Sequence, residues 1–446
     1  MDRRTFLALA STPAVVPLIQ ACGGEDVSGP TTTAPGTTGP GPSAPGEARS
    51  LVARQPADPA LAAQAAAAVN AFGADLYARL AGDGSENLVC SPASIVLALA
   101  MTRAGALGTT ADELDVVLHA SELGADPAAL HPGMNALTAE LEARSGTFEA
   151  MGESVTVELS IANSLWGQDG LAWGEAFLDL LGAQYGAGMR LVDYVSDPEG
   201  ARGAINDWVA DETKDRIPEL LGQGTITPAS RLTLVNAVYM KAPWLEPFAE
   251  GSTAPGPFTT AAGETVEVPT MRASRMLAHA AGDGWQAVDL PYAGGALSML
   301  VVVHDAGDLA AVEVLLADGL LDDVVRGLAG RQVNLGLPRF DLETKVELSM
   351  VLAVLGMPSA FDPSSADFSA MTTDEELFIG VVIHQANITV DEQGTEAAAA
   401  TAVGMRATSA PMDPPVELTI DRPFLYAVRD TATGAVLFLG RVSDPS

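Results

Sequence analysis

Lysine is nearly absent from this chain. It occurs three times in 446 residues, at Lys214, Lys241 and Lys345, so arginine supplies most of the positive charge. Against 23 basic residues stand 57 acidic ones, a formal net charge of −34. A field of that sign repels phosphate backbones and anionic lipid surfaces, which argues against nucleic acid and direct membrane adsorption. It reads as a device for solubility or a salty habitat before it reads as recognition of a cationic partner. Cysteine is scarce as well: Cys22 and Cys90 are the two, too few for a disulfide framework. The five histidines, His119, His131, His279, His304 and His384, form no HExxH or CxxC-type metal set. No GxSxG elbow and no GxxxxGKS loop is present. The expectation is therefore no metal, no cofactor and no enzyme activity, a hydrolase with dispersed residues being the rival. No run of about 18 or more apolar residues marks a spanning helix.

What is there begins with 48% hydrophobic residues, enough for a large core. Cys90, in "NLVCSPASIVLALAM", reads as a small core residue rather than a reactive thiol. Cys22 has a different setting. The start "MDRRTFLALASTPAVVPLIQACGG" has a basic pair, a short apolar stretch and small residues before a cleavage point, the parts of an export signal. "DRRTFLAL" resembles the twin-arginine type, with Arg3 and Arg4 as the pair. "IQAC" resembles a bacterial lipobox, with Gln20 off its usual small-residue pattern; cleavage there would leave Cys22 as the lipid attachment residue. The expected location is thus exported, in the cell envelope or outside the cell, with the membrane reached only through a lipid on Cys22. Residues 1–22 are read as the signal. Residues 23–56, rich in Gly, Pro, Thr and Ser at their start, are read as a flexible tether without an apolar face.

From 57 to 446 no linker and no internal repeat divides the chain. Helical patterns fall at 58–81, in two pieces over 87–118, at 200–221 and at 344–356. Strand patterns fall at 154–168, 232–244, 265–271, 285–290, 297–303, 332–338, 381–390, 416–420, 424–430 and 435–442. Helices dominate early and strands late, which points to one α+β domain.

One stretch does not fit that outline. "EQGTEAAAATAVGMR" (392–406) has the local composition of a helix, yet it sits between strands and has no packing face. Read instead as a strand, one parity carries Thr395, Ala397, Ala399, Thr401 and Val403, all uncharged and none large. The other carries Glu396, Ala398, Ala400 and Ala402, so the one acid of the run is free to face solvent. No proline interrupts it, and Gly394 gives a turning point.

Five stretches, in order, resemble one family, the serpins: "NLVCSPASIVLALAMTRAGALGTTADEL", "INDWVADETKDRIPELL" (with Arg216 where the family usually has Lys), "LTLVNAVYMKAPWLEPF", "VDEQGTEAAAAT" and "DRPFLYAVRDTATGAVLFLGRVSDPS". The resemblance implies a fold of three β-sheets and eight or nine helices, acting as a monomer. It implies an exposed reactive-centre loop at about 392–415. Its hinge would be Glu392, Gly394, Thr395, Glu396, Ala397, Ala398, Ala399, Ala400 and Thr401. It implies irreversible suicide-substrate inhibition of serine endopeptidases, with cysteine endopeptidases as a second class. The cut loop would enter the central sheet and trap the acyl-enzyme. A non-inhibitory binding or chaperone-like serpin is the alternative. Family spacing places the scissile bond sixteen positions after Glu392, between Thr408 and Ser409, with Arg406, Met405 and Met412 as other registers. Ser91, Ser94, Asn236 and His384 match a polar cluster under the central sheet, and Trp244 a tryptophan where insertion begins.

Overall fold

A computed structural model describes residues 46–124, 127–305, 309–396 and 414–446. Residues 1–45, with Cys22 and the signal, lie outside the described part. The strands run in chain order β1 (Glu47–Ala48), β2 (Leu88–Cys90), β3 (Gly146–Ala150), β4 (Glu153–Gln168), β5 (Met189–Val192) and β6 (Leu232–Pro243). They continue as β7 (Ala254–Thr259), β8 (Thr265–Gly282), β9 (Trp285–Pro291), β10 (Leu297–His304), β11 (Ala329–Pro338) and β12 (Phe340–Glu347). The last are β13 (Val382–Val390), β14 (Gly394–Thr395), β15 (Val416–Thr419), β16 (Phe424–Asp430) and β17 (Val436–Val442). The helices used below are α1 (Ala62–Leu80), α2 (Pro92–Arg103), α3 (Gly108–Val117), α4 (Leu130–Glu142), α5 (Glu175–Tyr185) and α6 (Pro198–Glu212).

The central sheet has the order β1-β5-β4-β6-β14-β13-β12, with β3 paired to β4. A nine-stranded sheet has the order β15-β11-β8-β9-β10-β16-β17-β2, with β7 paired to β8. Three sheets were expected; the long β8 pairs with β7, β11 and β9 along its length, so two of them form one continuous ladder. The main core fills the space between the sheets and the first helices, with Phe72, Leu99, Leu300 and Tyr426 among its buried members. A second, smaller core lies under α6, where Ile205, Val209, Ile217 and Leu221 meet Val235 and Ala237 of β6. The central sheet is therefore covered on both faces, and β6 is buried on both, its mostly apolar run "LTLVNAVYM" interrupted by Thr233 and Asn236. Cys90 is wholly buried, and burial pushes its thiol up to about 12, so it remains a protonated core side chain.

Three expectations change. The folded body starts before position 57. β1 pairs antiparallel with β5 through Glu47↔Arg190 and Ala48↔Met189. Arg49 donates to the Gly186 carbonyl at 2.5 Å, and Arg54 to Asn135 at 2.7 Å and to Glu142. Residues 46–56 thus leave the expected tether; edge-strand and polar contacts hold them, and neither shows as apolar periodicity. Residues 344–347 belong to strand β12, not to a helix over 344–356. Phe340 and Leu342 point inward while Asp341 and Glu343 point out, a period of two, and a short helix follows only at Ser349–Leu355. Finally, α6 ends at Glu212, short of 221. Thr213 turns its hydroxyl back to Val209 at 2.7 Å, and Lys214 and Asp215 take left-handed backbone angles (φ 53° and 62°).

The C-terminal hairpin is fixed by a buried charge. The Asp430 carboxylate, with no exposed surface, accepts from Arg144 Nε at 2.5 Å and from the Thr433 backbone N–H and hydroxyl at 2.7 and 2.6 Å. Removing one partner of such a pair strands the other charge. Arg144→Ala should lower unfolding free energy in urea by about 3 kcal/mol, with part of the loss recovered when Asp430→Asn is added. An unchanged midpoint would contradict this reading.

Candidate functional site

The site grows from a tight reversal after β13. The Asp391 carboxylate accepts from the backbone N–H of Gln393 at 2.8 Å and of Gly394 at 3.2 Å, closing an Asx-type turn. The chain then returns antiparallel as β14. Thr395 pairs with Val390 of β13 on one side and Ala242 of β6 on the other. Only glycine fits at 394. Its φ is +147°, and a Cβ there would lie 2.2 Å from the Ala242 carbonyl oxygen.

Side chains lock this turn. The Glu392 carboxylate is buried and takes two bonds from Arg339, at 2.9 and 2.6 Å, and one from the Thr253 hydroxyl. Burial pushes that carboxyl up, but the hydrogen bonds from Arg339 and Thr253 outweigh it and hold the group below its ordinary value. Trp244 donates its indole N–H to the Asp391 carbonyl at 2.9 Å and stacks on Tyr292, with ring centroids 4.5 Å apart. The Tyr292 hydroxyl meets Thr395 Oγ1 at 2.7 Å in the buried interior. Glu396, on the opposite face, was expected to face solvent. Its side chain is instead 8% exposed and ion-paired with Arg216 at 2.8 Å.

Lower down, β6 and β13 pair with each other directly, in parallel, through Leu234↔Val382, Val235↔Ile383 and Asn236↔His384. Among the described residues their ladder stops there; above it the two strands are separated, with β14 in the mouth of the gap. The last pair sits on a polar row. Register aligns Asn163 of β4, Asn236 of β6 and His384 of β13 across the sheet. His384 Nε2 accepts from the Ser91 backbone N–H at 3.1 Å, which makes Nδ1 the protonated nitrogen, donating to Asn236 Oδ1 at 2.6 Å. The Asn236 amide then donates to Ser94 Oγ and, at 3.1 Å, to Asn163 Oδ1. The sequence had brought forward Ser91, Ser94, Asn236, His384 and Trp244, and the structure brings the first four together and puts Trp244 at the mouth of the gap. It had passed over Asn163, Asp391, Arg339, Tyr292 and Thr253. Asn163 carries a usable signal, an amide in the middle of an apolar strand; the others come together only through the fold. Ala397, Ala398, Ala399, Ala400, Thr401, Met405, Arg406, Thr408, Ser409 and Met412 lie outside the described residues.

This arrangement has a partly opened sheet, a two-residue strand seated in the opening and a polar row closing it below. Comparison with known proteins gives it a family. The profile of the Serpin (serine protease inhibitor) family matches residues 67–445. The chain is a serpin. It is 36% identical over 380 residues to an uncharacterised serpin-like protein of Thermococcus kodakarensis, covering 85% of each chain. It is 33% identical over 392 residues to the human leukocyte elastase inhibitor, covering 86% of this chain and all of that one. Among solved structures it is similar to the thermophilic serpin tengpin in its native state, with a TM-score of 0.75, 26% identity, and 88% and 96% of the two chains covered.

In this serpin His384 titrates in an unusual range. Complete burial pushes it down to about 3. An unfolded histidine titrates near 6.5, so between ~6.5 and ~3 the unfolded chain holds a proton that the folded chain lacks. The residue therefore withdraws stability as the pH falls through that window, by up to about 1.4 kcal/mol per pH unit. His384→Gln should be less stable than wild type at pH 7, and the gap in urea midpoint should narrow steadily towards pH 4. A gap constant with pH would overturn this assignment.

Proposed function

We propose that this serpin inhibits serine endopeptidases irreversibly, by inserting its cleaved loop between β6 and β13. The observation that carries the reading is β14: Gly394 and Thr395 already bridge the two strands in the uncut chain. Extending both registers residue by residue brings Thr401 opposite Asn236 on one side and His384 on the other. The hinge from Thr395 to Thr401 is therefore the length that fills the gap down to the polar row. Its inward parity, Thr395, Ala397, Ala399 and Thr401, is small and uncharged, which a closely packed interior demands. Insertion from Thr401 onward must part the three-pair ladder, beginning with its Asn236–His384 pair. Replacing strand–strand bonds with new strand–loop bonds leaves no buried backbone group unsatisfied.

The attacked bond lies between Thr408 and Ser409 in this reading. A small residue there suits a protease with a shallow specificity pocket, and the human relative at 33% identity is named an elastase inhibitor. Arg406 would direct the chain to trypsin-like enzymes, and Met405 or Met412 to chymotrypsin-like ones. The serpin acts as a monomer, exported and held to the cell envelope by a lipid on Cys22, with the segment before Gly46 as tether.

A panel of serine proteases should contain one that forms a one-to-one complex surviving boiling in detergent, and mass spectrometry of the released fragment identifies the bond. Thr395→Arg forces a charge into a buried slot against Tyr292. That variant should be cleaved as a substrate with at least about tenfold less complex formed. Equal trapping by Thr395→Arg and wild type would contradict insertion.

A further inference from the structure

Insertion in the uncut chain stops after Thr395, and the contacts of the next residue account for where it stops. Glu396 has φ +53°, a left-handed angle that is unfavourable for a glutamate and ends a strand. Its carboxylate is nearly enclosed and faces Arg216 Nε at 2.8 Å. The Tyr239 hydroxyl of β6 bonds the same carboxylate, and Asp341 of β12 is the acidic neighbour. Its backbone N–H reaches the Thr389 carbonyl at 3.4 Å.

Arg216 is delivered by an equally strained piece of chain. Lys214 and Asp215 both adopt left-handed angles, and Asp215 N–H bonds the Ala210 carbonyl at 2.8 Å. Ile217, the next residue, is anchored in the core under α6, and the Arg216 carbonyl accepts from Asn387 of β13 at 3.3 Å. Among the described residues, three of the five non-glycine residues with positive φ are Glu396 itself and the two that lead into Arg216. Strain of this kind persists only where the surroundings hold it, and it gathers at working sites.

We propose that Arg216 is a positioning residue for loop insertion: it receives Glu396 on the outer face of the central sheet and so keeps Gly394 and Thr395 seated between β6 and β13 before any protease arrives. The direction of its effect follows from which charge is buried. Arg216 is half exposed while the Glu396 side chain is not. Without Arg216, an enclosed carboxylate is left unpaired, and its escape to solvent pulls Thr395 out of the ladder. Without the carboxylate, nothing drives escape, and an alanine stays seated. Burial already holds the Glu396 carboxyl above its ordinary value, with Arg216 pulling the other way. The carboxylate must be received on the same outer face after cleavage, so leaving it there without Arg216 slows insertion relative to deacylation. This second consequence rests on the inhibitory reading; the first does not.

The experiment is amide hydrogen exchange of the peptide covering 391–396 in the intact, uncut chain. Wild type is compared with Arg216→Ala, Arg216→Lys, Glu396→Ala and the double variant Arg216→Ala/Glu396→Ala, with α1 as the internal control for folding. Arg216→Ala should exchange at least tenfold faster in this peptide alone. Glu396→Ala and the double variant should stay near wild type, and Arg216→Lys should fall between. Exchange in Arg216→Ala equal to wild type, or in the double variant as fast as in Arg216→Ala, would overturn the proposal. The companion measurement is the number of inhibitor molecules consumed per protease trapped. It should rise several-fold in Arg216→Ala and return in the double variant. If wild type traps no protease, the inhibitory reading falls, and the exchange result still decides the role of Arg216.

Discussion

Everything distinctive in this molecule depends on an incomplete pairing between two neighbouring strands. β6 and β13 share a ladder of only three residue pairs, ending at Asn236 and His384. Above it, among the described residues, the two strands are not paired with each other, in the middle of a sheet whose two faces are covered. Unpaired backbone in a buried sheet is costly. The hinge hairpin relieves a small part of that cost through Gly394 and Thr395. The remaining demand makes the chain that follows Thr395 a candidate strand rather than the helix its alanines favour locally.

Two glutamates four residues apart frame this opening in different ways. Glu392 lies in the turn itself, buried, with three hydrogen bonds and a carboxyl held low. All three bonds converge on its Oε1, so it acts as an anchor. Glu396 lies at the end of the seated segment, enclosed but with its carboxyl held high. Its environment is balanced against release. Between them, Trp244, Tyr292 and Asp391 join the turn to the top of β6 by one stack and a set of short hydrogen bonds. A fixed anchor and a releasable end are what a segment needs if it is to move in one direction only, downward into the gap.

Much of this was legible in the sequence, for identifiable reasons. The mostly apolar run of β6 and the alternation in β4 could be read directly, because burial on two faces and on one leave different patterns. The polar row was legible in part through the family resemblance, which matched Ser91, Ser94, Asn236 and His384 but left out Asn163. The parity of 395–401 was legible because a strand's period is fixed. The helix expected over 344–356 failed because the alternation of Phe340, Asp341, Leu342 and Glu343 begins ahead of 344 and the strand runs on to Glu347. The tether boundary failed because residues 46–56 are held by edge pairing and by arginines, features without periodicity. Arg216, Arg339 and Tyr292 could not be assigned to the hinge at all: each is distant from it in sequence, and register and burial alone bring them there.

In the inhibitory reading proposed above, cutting the loop lets it complete the ladder between β6 and β13. The most direct test is the thermal midpoint of the chain before and after a single cut within 397–413, made by a protease that the serpin does not trap. Six or more newly paired residues, each contributing roughly 0.5–1.5 kcal/mol, should raise the midpoint of a body of this size by about 4–11 °C. A cut chain that melts at the same temperature as the intact one, or lower, would contradict insertion.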